Sequence, residues 1–235
     1  MNTGLSRRLI AEAVGTAVLL AAIVGSGIMA DRLFAGHQGL ALLANSLATG
    51  AALMALIHTF GPISGAQFNP VVTLAECGKL PRLSIAWPIA AQLAGAVLGV
   101  WVAHAMFGER VFMLSHHARC GAAQWFSEFI ATFGLLAVIT GCSRRRPEVV
   151  PFAVAAYIVA AYWFTASTSF ANPAVTIARA FTDTFAGIRP GDVPGFVVAQ
   201  LLGGMSAASL LRWLTPAAVE SSHDGVALIT PSAVR

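Results

Sequence analysis

The sequence predicts an all-α membrane protein of six transmembrane helices and two re-entrant half-helices, built as inverted repeats. Three observations carry that prediction. Apolar residues make up 57% of the 235 positions and charged residues only 10%, far from the balance of a water-soluble domain. Six separate stretches are apolar enough, and long enough, to cross about 30 Å of hydrocarbon. The two halves of the chain also repeat one another, with three spans in each.

The first span is predicted over Leu9–Met29. Ser6-Arg7-Arg8 ahead of it resembles the start of a twin-arginine export signal, but the apolar run continues without a convincing cleavage site, so the segment is read as a retained span. A short loop leads to the second span, Leu40–Thr59. Next comes Asn69-Pro70 and a brief apolar stretch, Pro70–Gly78, of nine residues, or roughly 13 Å of helix, too short to span. Proline suits the first helical position and asparagine is a favoured N-cap, so Asn69 should start a half-helix. Spans three, four and five follow over Ile85–Phe107, Trp125–Cys142 and Val149–Phe164. A second half-helix, Pro173–Phe181, starts at Asn172, and Val193–Leu214 forms the last span. Short loops leave no room for a separate soluble domain, so residues 1–235 form one transmembrane domain with repeats over about 5–110 and 121–216.

The repeat is explicit. Ala11-Glu12-x-x-x-Thr16-x-x-Leu19-Leu20 returns as Ser127-Glu128-x-x-x-Thr132-x-x-Leu135-Leu136, 116 positions later. Gln92-Leu93-Ala94-Gly95 returns as Gln200-Leu201-Leu202-Gly203, and Asn69-Pro70-Val71-Val72-Thr73-Leu74-Ala75 as Asn172-Pro173-Ala174-Val175-Thr176-Ile177-Ala178. An odd number of spans per half makes the halves enter the membrane from opposite sides, so their half-helix starts should meet near the midplane. Two positive dipole ends and two asparagine amides would then offer donors to a passing oxygen and repel cations.

The net charge is +4, but the basic residues are scattered between apolar segments and form no stripe with stacking aromatics, so nucleic acid is not an expected partner. Membrane topology explains them better. Placing both termini in the cytoplasm puts Arg7, Arg8, Lys79, Arg82, Arg144, Arg145, Arg146, Arg212 and Arg235 inside, nine of the fourteen Lys and Arg, as the positive-inside rule prefers. Cys77, Cys120 and Cys142 have no C-x-x-C spacing and are read as packing residues, with no metal or cofactor expected. No nucleophile–base pair or phosphate loop points to an enzyme.

The duplicated boxes, Ser64-Gly65-Ala66-Gln67-Phe68-Asn69-Pro70-Val71 and Thr168-Ser169-Phe170-Ala171-Asn172-Pro173-Ala174, resemble the two Asn-Pro-Ala boxes of the major intrinsic protein family, the aquaporins and aquaglyceroporins. Nearly the whole chain is covered by the resemblance. Val71 departs from the alanine of the first box. The resemblance implies an aquaporin-like fold, a homotetramer in the bilayer with a pore in each subunit, and water and small neutral solutes as what passes. It also implies that Glu12 and Glu128, costly inside apolar spans, accept hydrogen bonds from the re-entrant loops rather than titrate. Gly95 with Gly99, and Gly203 with Ala207, permit close helix crossings, while the five tryptophans fit interfacial belts or packing.

Carried over by offset from the boxes, the family's second constriction falls on Thr49, Ala160, Ser169 and Val175. Val175 stands where the family typically has arginine, so the filter should be wide and weakly discriminating. Polyols such as glycerol and metalloid hydroxides such as arsenite would fit it. Losing that arginine also removes a barrier to charged species. Arg179, one helical turn beyond Val175, is read either as restoring that charge at the outer mouth or as a cation at a helix C-terminus. His58 is read as lining the inner vestibule or as a packing histidine. The rivals are a water-selective aquaporin, a coupled secondary transporter, which inverted repeats also allow, and a structural membrane protein. The absence of an organelle-targeting segment suits a bacterial cytoplasmic membrane.

Overall fold

The computed structural model describes residues 4–77 and 82–214, so Gly78, Lys79 and Arg235 lie outside the described residues. In lipid every backbone N–H and C=O must be satisfied within the protein, which makes the apolar runs helical. The chain forms α1 (Leu5–Leu33), α2 (Gln38–Ser64), α3 (Pro70–Cys77), α4 (Arg82–Phe107), α5 (Ala122–Ser143), α6 (Val150–Phe164), α7 (Pro173–Ala178) and α8 (Val193–Leu214). Six of them are long and apolar enough to cross a bilayer.

The helices outrun the apolar stretches mostly at their ends. α1 extends to Leu5 and Leu33, and α2 runs through Pro62 to Ser64. It stops at Gly65, whose φ of 93° is a left-handed cap that a side chain would resist, with the Gly65 N–H donating to the Gly61 carbonyl. The half-helices α3 and α7 are too short to span, as predicted. The last turn expected of α7 tightens into a 3-10 turn, Arg179–Phe181, a common way for a helix end to satisfy its carbonyls.

α1 packs on α4 and α2, and α5 packs on α8 and α6, so each repeat makes the same pairings. A Cβ on Gly95 would collide with the Ala13 carbonyl, and one on Gly203 with the Phe129 carbonyl. These glycines let the paired backbones touch at equivalent crossings. Gly99 meets the Ala17 carbonyl in the same way, and its counterpart Ala207 is fully buried.

The half-helices are exchanged between the two cores. Ala174, Val175 and Ala178 of α7 pack with Leu20, Val24 and Val100 of the first repeat. Val71 and Val72 of α3 pack with Leu135, Leu136 and Val154 of the second. Neither repeat therefore buries its apolar surface alone. Ile10, Val14, Val18, Leu98, Phe152 and Met205 are exposed, the lipid-facing complement of these cores. Six spans bring Leu5 and Leu214 to one face, here the termini face; the connections 34–37, 108–121 and 165–189 lie on the other, the distal face.

Candidate functional site

Each half-helix begins with an asparagine whose two side-chain atoms are divided between its own helix and the other repeat. Asn172 Oδ1 accepts from the N–H groups of Ala174 and Val175 at 2.9 and 3.3 Å, and Asn69 Oδ1 accepts from Val71 N–H at 3.0 Å. This is N-capping of helices that start at proline. The amide nitrogens cross over: Asn69 Nδ2 donates to the Ala171 carbonyl at 2.8 Å and Asn172 Nδ2 to the Phe68 carbonyl at 2.7 Å. The two starts are thus tied to each other, and their dipoles converge.

The chain leading into each start is strained. Ala66 and Phe68 have φ of 49° and 48°, and Ser169 and Ala171, their repeat equivalents, 51° and 49°. Such conformations cost roughly 1–3 kcal/mol each and persist only when the surroundings impose them. Glu12 and Glu128 supply that imposition. Glu12 accepts from Gln67 N–H, Phe68 N–H, Ser64 Oγ and Gln92 Nε2 at 2.6–3.0 Å. Glu128 accepts from Phe170 N–H, Ala171 N–H and Gln200 Nε2 at 2.6–2.8 Å. Gln92 also reaches Thr73 of α3, and Gln200 reaches Thr176 of α7. Both carboxylates therefore accept from the backbone of a re-entrant segment. Sequence reasoning quoted both glutamines as repeat markers without giving them work, although a polar residue inside an apolar span carries the same signal as the acids.

Beside the crossed asparagines runs a cavity of about 510 Å³. Toward the termini face it is bordered by His58, Gln67, Glu76 and Glu148; Asn69 and Asn172 border it too, and it reaches Thr49, Tyr162, Ser169, Val175 and Arg179. His58 stands at that end with its ring edge-on to Phe152, centroids 5.2 Å apart. Asn69 and Asn172 border a passage otherwise walled by Leu19, Leu53, Ile57, Leu135 and Ile158.

Three of the four positions predicted for the second constriction border this cavity. Ala160 does not: it is exposed on the opposite side of α6, and Tyr162, two residues on, takes the place expected of it. Two residues turn a helix by about 200°, which exchanges its faces. The offset failed because it counts back from Asn172 through the irregular segment 165–171, where helical geometry does not set the residue number. The buried row Val154, Ile158, Tyr162, at i, i+4, i+8, was a signal for the correct face. Tyr162 and Thr49 share a hydroxyl–hydroxyl hydrogen bond of 3.2 Å across the cavity wall. The Ser169 hydroxyl is buried and without a partner.

Arg179 is 2% exposed and lies against the face of Phe170, its guanidinium carbon 3.4 Å from the ring centroid. Its Nε donates to the Ala186 carbonyl. The guanidinium of Arg119, from the connection between α4 and α5, lies 5.1 Å from the centroid of the same ring. Arg119 donates to the carbonyls of Gly187 at 2.8 Å and Ser167 at 3.4 Å. The sequence reading counted Arg119 only as an outer charge. Further out, the exposed Asp183 carboxyl is held below the usual carboxylate range by the His116 backbone N–H and then by its ring.

A sequence model of the major intrinsic protein family matches residues 1–167 and 147–233. Among curated proteins, the chain is 56% identical over 212 residues to Aquaglyceroporin AqpS of Rhizobium meliloti (strain 1021), covering 89% of this chain and 91% of that one. It is 31% identical to Nodulin-26 of Glycine max over 153 residues, 63% of this chain and 55% of that one. Among solved structures, the X-ray structure of the aquaglyceroporin from Plasmodium falciparum superposes with a TM-score of 0.62 at 21% identity, covering 88% of this chain and 95% of that one. That likeness is one of fold.

Proposed function

Because the chain belongs to the major intrinsic protein family, whose members are membrane channels and not enzymes, we propose that it passes water, glycerol-sized polyols and neutral metalloid hydroxides such as arsenite. The relative from Rhizobium, an aquaglyceroporin by name, supports the polyol part of this reading. The observation that carries it is the cavity lining, which includes Thr49, Tyr162, Ser169 and Val175. A valine follows the second Asn-Pro-Ala, so no guanidinium projects from that position, and hydroxyls of Thr49, Tyr162 and Ser169 are left to hydrogen-bond a solute's own hydroxyls. The crossed Asn69 and Asn172, each donating into the other repeat, keep the half-helix starts side by side at mid-passage. Their converging positive ends disfavour cations while the wall stays apolar.

Both termini are assigned to the cytoplasm, the distal loops to the outside, and the assembly to a homotetramer in a bacterial cytoplasmic membrane. The arginine count on the termini face supports the orientation.

Proteoliposomes carrying the full chain should shrink in a hypertonic step and re-swell as glycerol or arsenite enters. Val175→Arg should cut glycerol and arsenite entry by roughly tenfold or more while water flux falls less, since one bulky cation both narrows the filter and fixes its donors. Wild-type vesicles that pass water but stay closed to both solutes would sink the wide-filter reading.

A further inference from the structure

The distal end of the cavity holds two charges that the passage of neutral solutes does not use. Arg179 borders the cavity and is buried, and its Nε is occupied by the Ala186 carbonyl. Among the described residues its two terminal nitrogens have no hydrogen-bond partner, and no carboxylate stands within ion-pair distance of it or of Arg119. The oxygens of Glu128 are engaged by Phe170 N–H, Ala171 N–H and Gln200, and Asp192 accepts from the Arg119 backbone N–H and pairs with Arg189. A guanidinium with unengaged N–H donors on an otherwise apolar passage is a favoured partner for a carboxylate or another anion, through charge-assisted hydrogen bonds. Among the described residues its contacts are the Phe170 face and one carbonyl, and Arg119, near the same ring, adds positive charge.

Ser169 provides a second, independent observation. Its hydroxyl is buried, has no partner, and belongs to the same lining as Arg179 and Tyr162. A free O–H donor and the open end of a planar guanidinium, bordering one cavity, match the needs of a small oxyanion, which accepts charge-assisted hydrogen bonds from both. We propose that the distal end of the passage is a binding site for a small monovalent oxyanion, anchored on Arg179, hydrogen-bonded by Ser169 and reinforced by the field of Arg119. This site rests on the channel reading in one respect: an anion held there obstructs the solute path. The displacement of the guanidinium by one turn, from the level of Val175 to Arg179, is what makes it possible, since the charge sits beside the constriction and not across it.

The test uses full-chain proteoliposomes and nitrate as the probe, with gluconate, too bulky for the site, as the reference at equal ionic strength. In each variant the quantity read is the ratio of glycerol flux in nitrate to that in gluconate, so a change in basal flux does not enter. Wild type should give a ratio that falls with nitrate and saturates. Arg179→Gln should return it to one, and Ser169→Ala should shift the half-effect upward by on the order of tenfold, the weight of one charge-assisted hydrogen bond. A wild-type ratio of one at every nitrate concentration, or an Arg179→Gln ratio as low as wild type, overturns the site. If Arg179→Gln does not reconstitute, Arg119→Gln replaces it and should weaken the nitrate effect severalfold; an unchanged half-effect there counts against the proposal. Calorimetric titration of nitrate into detergent-solubilised wild type reads binding without flux. Binding without glycerol flux would overturn the channel reading and keep the site, and flux without binding would do the reverse.

Discussion

At the residue scale the clearest adjustment concerns Val71, the valine in place of the first box's alanine. A Cβ on Gly204 of α8 would collide with Val71 Cγ1, so the extra methyl groups on α3 occupy space left open by a missing one on α8. In the other repeat the equivalent pair, Ala174 and Ala96, is alanine on both sides, and both belong to one core cluster. The two pairs divide volume differently across the same contact, which a close-packed interior allows if the sum is kept. Gly204→Ala should therefore destabilise the protein by about 1–3 kcal/mol, and adding Val71→Ala should recover most of it. Thermal unfolding of the detergent-solubilised single and double variants measures the coupling; additive losses would refute the pairing.

At the element scale the half-helices are held by carboxylates that lie in other helices. Glu128 of α5 fixes the strained approach to α7 and, through Gln200 and Thr176, the helix itself. Glu12 of α1 does the same for α3. Removing either strands several buried donors, at roughly 1–3 kcal/mol each, and releases residues whose positive φ would relax. Glu128→Ala should lower the unfolding midpoint sharply and abolish solute flux, with Glu128→Gln intermediate because a neutral amide still accepts. Flux of the alanine variant at the wild-type level, with unfolding unchanged, would show that the carboxylate does not hold the loop. Gln200→Leu tests the same brace from α8 and should act in the same direction with a smaller effect.

At the scale of the whole molecule the exchange of half-helices between cores makes the two repeats interdependent, and the even span count places the chain ends on one face. The free cysteines report which face is outside: Cys120 is exposed in the distal connection and Cys142 is half-buried near the termini face. In intact cells, with Cys77 changed to serine, a membrane-impermeant thiol reagent should label a variant keeping Cys120 and spare one keeping Cys142, with both labelled after permeabilisation. Labelling of Cys142 alone in intact cells would invert the assigned orientation.

The spans, the half-helices and their inverted relation were legible in the sequence because they depend on local quantities: apolar run length, Asn-Pro at a helix start, and motifs repeated at equivalent positions. Glu12 and Glu128 were legible for the same reason, a charge inside an apolar run. The cavity lining was legible only in part. Thr49, Ser169 and Val175 reach the cavity, but which face of α6 joins them depends on how α6, followed by an irregular segment with positive φ, docks against α2 and α5, and so Tyr162 stood hidden behind Ala160. The placement of Arg119 and Arg179 against one ring, Phe170, was likewise beyond a linear reading. Arg119 lies 60 positions before Arg179 in the chain, and only packing, which acts between segments with no sequence relation, brings two such charges to one ring.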